Sequence, residues 1–124
     1  VISEQPEIIF VNYSLGLLLA EMKKYEEALH YLEVANTEMA DNPQVLYNLV
    51  QLQSYLGKHE EAEKNLQELV RNNPSSAKYL MALIDFYLNR KEFAKAKPYV
   101  NKLVKMYPDD PKVKQLVDFV KSKL

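Results

Sequence analysis

Cysteine is missing from the 124 residues, and glycine occurs only twice, at Gly16 and Gly57. Without cysteine there is no disulfide framework, and nothing to report a redox compartment. The two histidines, His30 and His59, are also left with no ligand-spaced partner for a metal. The glycines are isolated, so there is no loop to cradle a phosphate. No run of about 18 apolar residues occurs, so no segment is expected to span a membrane. A charged leader with a small-residue cleavage site is not visible. Net charge is only −1, and the basic end lacks a glycine-rich or stacking motif, so nucleic acid is not an expected partner.

What is present is a recurring amphipathic pattern. The stretch Leu46 to Pro74 reads LYNLVQLQSYLGKHEEAEKNLQELVRNNP, two short runs flanking a turn at Gly57-Lys58. The first run presents Leu46, Leu49 and Leu56, and the second presents Ala62, Leu66 and Leu69. Steps of three, four and seven give each run one apolar stripe on a helix. Shifted by 34 residues, the pattern returns: Leu15, Leu49 and Leu83 align, as do Ala28, Ala62 and Ala96, then Leu32, Leu66 and Val100. Ala40, Pro74 and Pro108 close the units.

A helix–turn–helix unit at this period resembles the tetratricopeptide repeat family. The resemblance implies an all-α fold, an α-solenoid of antiparallel helix pairs wound as a right-handed superhelix, with about seven helices. The units are expected at residues 9–42, 43–76 and 77–110, followed by a lone helix at 111–124. Residues 1–8 read as a remnant or an N-terminal extension, and the whole of 1–124 as one array. The chain starts and stops inside the repeat, as expected of a piece of a longer array or of a short array finished by one helix.

The first helix is expected from about Glu7 to Met22. Its segment IIFVNYSLGLLLA is apolar almost all round, which predicts burial on more than one side. Gly16 lowers helix propensity by roughly 1 kcal/mol relative to alanine. The expected return is close approach of the partner helix; Val50 and Ile84 at the matching places predict wider spacing. After Lys23-Lys24, a second helix over Tyr25–Met39 carries the stripe Ala28, Leu32 and Ala35. Asn42 before Pro43, Ser75 or Ser76, and Asp110 before Pro111 are expected N-caps. Pro98 lies more than one turn inside its helix, which removes a hydrogen bond and is expected to bend the start.

No catalytic constellation emerges, and the chain is not expected to be an enzyme or to carry a cofactor or metal. Glu26 and His30, one helical turn apart, read as an exposed surface pair. His59 stands where Tyr25 and Phe93 stand in the other units, and reads as a packing residue between helices. Glu26-Glu27 and Glu60-Glu61 recur at the same place, where they complement helix N-termini.

Binding is what remains. In the resembled family the first helix of each unit lines a concave groove that receives an extended peptide or a partner helix. Carried over residue by residue, the groove positions are Phe10, Tyr13, Leu17, Ala20 and Glu21, then Gln44, Tyr47, Gln51, Ser54 and Tyr55. The third unit supplies Lys78, Met81, Asp85, Leu88 and Asn89, and the last helix Lys112, Gln115 and Phe119. This surface is apolar and aromatic, suited to an apolar ligand segment; the alternative is that Tyr13, Tyr47 and Met81 pack beneath the turns. Family members that grip a chaperone's C-terminal carboxylate use a clamp of Lys, Asn, Asn, Lys and Arg. The matching residues here are Tyr13, Leu17, Asn48, Lys78 and Ala82, and only Asn48 and Lys78 fit. The chaperone co-factor reading is rejected on that mismatch.

Two functions therefore compete: a scaffold binding another protein in the groove, and a structural subunit that stacks head-to-tail on copies of itself. Charge favours the second. Residues 1–89 carry six Lys/Arg against thirteen Asp/Glu, and residues 90–124 carry ten against four. Such polarity can draw unlike ends together into an oligomer or filament. The terminal Ser122-Lys123-Leu124 spells a peroxisomal address if it is a free C-terminus, or else is the tail of a lysine-rich helix.

Overall fold

A computed structural model describes residues 6–124, with side chains from Phe10 onward. Residues 1–5, most of the expected extension at 1–8, lie outside the described residues. The described residues form seven helices and no strand: α1 Pro6–Glu21, α2 Tyr25–Glu38, α3 Pro43–Tyr55, α4 His59–Asn72, α5 Ala77–Asn89, α6 Phe93–Met106 and α7 Pro111–Lys123. The chain divides into two compact units, one ending at Asn65 and the other beginning at Leu66, so the boundary falls inside α4.

The turns keep the same period as the apolar stripe. Lys23, Gly57 and Lys91, each 34 residues apart, all adopt the left-handed backbone, with φ of 64°, 79° and 59°. Each ends a helix in a Schellman motif. The amide after it donates five residues back: Lys24 N to Leu19 O at 2.9 Å, Lys58 N to Gln53 O at 2.8 Å, and Glu92 N to Tyr87 O at 2.9 Å. The middle turn has the glycine that this conformation favours. The outer two force a lysine into it, at about 1–2 kcal/mol each.

The expected caps form. Asn42 Oδ1 accepts from the amides of Gln44 at 3.0 Å and Val45 at 3.3 Å. Ser76, rather than Ser75, accepts from Tyr79 N at 3.4 Å. Asp110 accepts from Lys112 N at 2.8 Å. These side chains satisfy amides that the first turn of a helix leaves without partners. α6 runs on through Pro98. Ala94, whose carbonyl loses its usual donor, and Pro98 are both exposed, so water can take the donor's place.

In the first unit α1 packs on α2 and α2 on α3; in the second, α5 packs on α6 and α6 on α7. Ala28, Ala62 and Ala96 are fully buried, as are Leu32, Leu66 and Val100. Gly16 does what its place predicts. A Cβ there would lie 2.8 Å from Leu32 Cδ2 and 3.3 Å from the Leu32 amide, too close for any side chain. Polar side chains also enter the interior. Buried Gln53 accepts from Asn65 Nδ2 at 3.1 Å, and Tyr87, its counterpart 34 residues on, accepts from Gln67 Nε2 at 3.0 Å.

One expectation fails. α1 is not buried on more than one side: Phe10, Val11, Leu18 and Met22 are exposed, and Leu15 is only half-buried. The apolar composition was read correctly, but α2 packs on one side of α1, and among the described residues nothing covers Val11, Leu18 and Met22.

Candidate functional site

α1 and α3, the first helices of their pairs, place the expected residues of the first unit on a common cleft. It has a volume of about 260 Å³ and is lined by Leu17 and Ala20 of α1, Tyr25 and Leu32 of α2, and Asn48, Gln51, Leu52 and Tyr55 of α3. Spacings of three and four put Leu17 and Ala20 on one side of α1, and Asn48, Gln51, Leu52 and Tyr55 on one side of α3. The floor is aliphatic. Two amide side chains, Asn48 and Gln51, stand in the wall and are able both to donate and to accept.

Tyr25 and Tyr55 make the aromatic end. Their ring centroids are 4.6 Å apart with planes tilted by 52°. Tyr55 is 69% exposed, the most open large apolar side chain described. Desolvation, then the neighbouring Tyr55 by charge and hydrogen bonding, pushes the Tyr25 phenol above the ordinary tyrosine range. The Tyr25 ring therefore stays neutral at physiological pH, and the pair offers apolar area with few rotatable bonds. Tyr13 sits beside this cleft. Its hydroxyl accepts from Asn48 Nδ2 at 2.6 Å, and Asn48 Oδ1 in turn accepts from Gln44 Nε2 at 3.3 Å. The one asparagine that matches the carboxylate clamp is thus held by a tyrosine that stands where the clamp has a cation.

Of the expected site residues in this unit, Leu17, Gln51 and Tyr55 line the cleft, with Tyr13 bonded to its wall. Tyr47 is half-buried on α3, and Phe10 is exposed on α1. In the second unit, Lys78, Met81, Asp85 and Leu88 recur at helical spacing along one face of α5. Lys78 and Asp85 are exposed, and Met81 and Leu88 half-buried. Although the Asp85 side chain is exposed, its partial desolvation raises the carboxyl above its ordinary range. Phe119, on α7, is exposed on one side and packs edge-on against Phe93 at 5.9 Å. Sequence reasoning missed Tyr25 as a cleft residue because it matched His59 and Phe93 and was read as packing. Its signal was a tyrosine opening α2, within reach of a second tyrosine that closes α3.

The tetratricopeptide repeat family model matches residues 19–84 and 55–118. Human protein O-mannosyl-transferase TMTC3 is 31% identical over 110 residues, which cover 88% of this chain and 12% of that protein. Among solved structures, a tetratricopeptide repeat protein from Parabacteroides merdae superposes with a TM-score of 0.80 at 19% identity, over 97% of this chain and 47% of that one. MamA (residues 41 to the end) from Desulfovibrio magneticus gives 0.76 at 18% identity, over 93% and 65%. The first tetratricopeptide domain of Spaghetti (RPAP3), bound to the HSP90 peptide SRMEEVD, gives 0.72 at 17% identity, over 98% and 97%. With the family matched across most of its length and its helix pairs shared with these structures, the chain belongs to the tetratricopeptide repeat family, and its fold is an all-α solenoid of helix pairs.

Proposed function

We propose that this chain is a non-catalytic scaffold that binds an apolar or aromatic segment of another protein, an extended peptide or a helix, in its groove. Units 9–42, 43–76 and 77–110, with the last helix, act in this reading as one array carrying Phe10, Tyr13, Leu17, Tyr47, Gln51, Tyr55, Lys78, Met81, Asp85, Leu88 and Phe119. The observation that carries it is the first unit's cleft: an aliphatic floor, a paired-tyrosine end and two amides in the wall. Such a site takes an aliphatic or aromatic side chain while Gln51 meets the ligand backbone. The family match supports an interaction role over a catalytic one. Neither a nucleic acid nor a membrane enters this reading, and among the described residues no helix is long and apolar enough to cross a membrane.

The RPAP3 domain holds a peptide ending in EEVD. This chain is expected to refuse it, since Tyr13, Leu17 and Ala82 replace three clamp positions with groups that offer an anion no charge. Peptide display against the protein tests both statements. Selected peptides should share an apolar or aromatic anchor, and Tyr55→Ala should weaken them at least about tenfold, the loss of roughly 1.4 kcal/mol typical of a buried aromatic contact. Enrichment of acidic carboxyl-terminal peptides, or indifference to Tyr55→Ala, would contradict the reading. Head-to-tail self-association is the second reading, favoured by the excess of Asp/Glu in residues 1–89 and of Lys/Arg in residues 90–124.

A further inference from the structure

The polar groups of the first unit's cleft are biased towards donating. Asn48 Nδ2 donates to the Tyr13 hydroxyl at 2.6 Å, and Asn48 Oδ1 accepts from Gln44 Nε2 at 3.3 Å. The phenol oxygen of Tyr13 is therefore engaged as an acceptor, and its own hydrogen is left to donate. Asn48 likewise has its oxygen bonded and a second N–H to offer. The Tyr25 and Tyr55 hydroxyls hydrogen-bond to each other, which leaves one of their two hydrogens. Gln51 adds two N–H donors and the one amide oxygen of the lining that is not already bonded. Donors thus outnumber acceptors, and none of the lining residues carries a charge.

We infer that the segment this cleft accepts is proline-rich and bound as a polyproline II helix. The inference rests on the groove-binding reading and narrows it to one class of ligand. Three observations select proline among apolar residues. First, a surplus of donors suits a backbone that has carbonyls but no N–H, and proline alone lacks the N–H. A leucine- or phenylalanine-rich strand would bring one N–H per residue, with little in the wall to receive it. Second, Tyr25 and Tyr55 lie 4.6 Å apart with planes tilted by 52°, and Tyr55 is 69% exposed. The pair offers aromatic surface instead of burying it, and aromatic-lined grooves are where proline-rich segments dock. Third, the spacing fits. Asn48 and Tyr55 are seven residues apart on α3, about 10 Å along its axis. Polyproline II returns to the same face every three residues, about 9 Å. A carbonyl can therefore meet the Tyr13–Asn48 pair while a pyrrolidine ring one turn away lies against Tyr55.

A proline homopeptide, acetylated and amidated so that it is uncharged, tests this by titration into the protein with amide chemical shifts as the readout. It should shift Asn48, Gln51 and Tyr55, and bind at least about tenfold more tightly than a capped alanine–leucine peptide of equal length. Tyr13→Phe removes one donor and keeps the ring. It should weaken the proline peptide about threefold to tenfold and leave the helical circular dichroism unchanged. Equal or tighter binding of the alanine–leucine peptide at these residues would overturn the proline inference and leave the groove reading standing. Proline binding that ignores both Tyr13→Phe and Tyr55→Ala would overturn the assignment to this cleft. Binding of neither peptide would overturn the inference, and if display also enriched no peptide, the groove reading would fall with it.

Discussion

α1 and α7 occupy the same place in the repeat, and each has one long side open. In α7 the seam residues Val113 and Val120 are buried, and the open side holds Asp118, Lys121 and Ser122. In α1 these sides are exchanged. Gly16 and Leu19, the counterparts of Asp118 and Lys121, are buried, whereas Val11 and Leu18, the counterparts of Val113 and Val120, face solvent. α7 has thus lost the apolar groups on the side where it has no neighbour, and α1 has kept them. An open polar side needs no cover, whereas an apolar seam does, and the matching seam of α3 is buried where that helix packs on the preceding α2.

The sharpest way to break this comparison is to truncate one seam position in two helices. Leu49→Ala should lower unfolding free energy by about 2–5 kcal/mol, the range for a buried leucine. Leu15→Ala, at the same repeat position, should lower it by about 1 kcal/mol or less, since its area is only partly removed from water. Equal losses in urea titrations would show that α1 is covered after all. Gly16→Ala comes next, expected to cost about 1–3 kcal/mol by forcing α1 off Leu32. Asp118→Ala, the matching change in α7, should fall within about 0.5 kcal/mol of zero. In the opposite direction, Lys23→Gly and Lys91→Gly should each raise stability by up to about 1 kcal/mol by relieving the left-handed backbone.

The smallest effect is electrostatic. Glu92 bonds Lys95 Nζ at 2.9 Å and Arg90 Nε at 2.8 Å, and these hydrogen bonds hold its carboxyl below the usual range. A depressed carboxylate contributes stability that is present above its unfolded value and is lost as pH falls through the folded one. Glu92→Gln should therefore lower stability at neutral pH, by the small amount typical of exposed pairs, and leave it unchanged at pH below the folded value, so that the acid limb is flatter. Asp85 has the opposite sign. Burial raises its pKa, so its contribution is full at low pH and is lost as pH rises through the raised value, and Asp85→Asn should stabilise slightly at neutral pH.

The repeat was legible because each element was signalled more than once. Ala28, Ala62 and Ala96 marked the tight crossings, Asn42 and Asp110 the caps, and Gly16 the close approach to Leu32. Each is a local requirement written in one residue type. Exposure of Val11 and Leu18 was not legible, since an apolar residue states a preference for cover and says nothing about whether a neighbour supplies it. The left-handed Lys23 and Lys91 were hidden because lysine carries no turn signal, and only their phase with Gly57 could have exposed them. Leu17, Gln51 and Tyr55 were found in the cleft through helical spacing, whereas Tyr25 depended on the approach of α2 to α3.

Two apolar surfaces meet on α1, one opening into the tyrosine cleft and the other along Val11, Leu15 and Leu18, and the proposed ligand occupies the first. Amide chemical-shift mapping by nuclear magnetic resonance separates them. A display-selected peptide added to dilute protein should shift Leu17, Asn48, Gln51 and Tyr55 and leave Val11, Leu15 and Leu18 in place. A peptide that shifts Val11, Leu15 and Leu18 while sparing Gln51 and Tyr55 would contradict it.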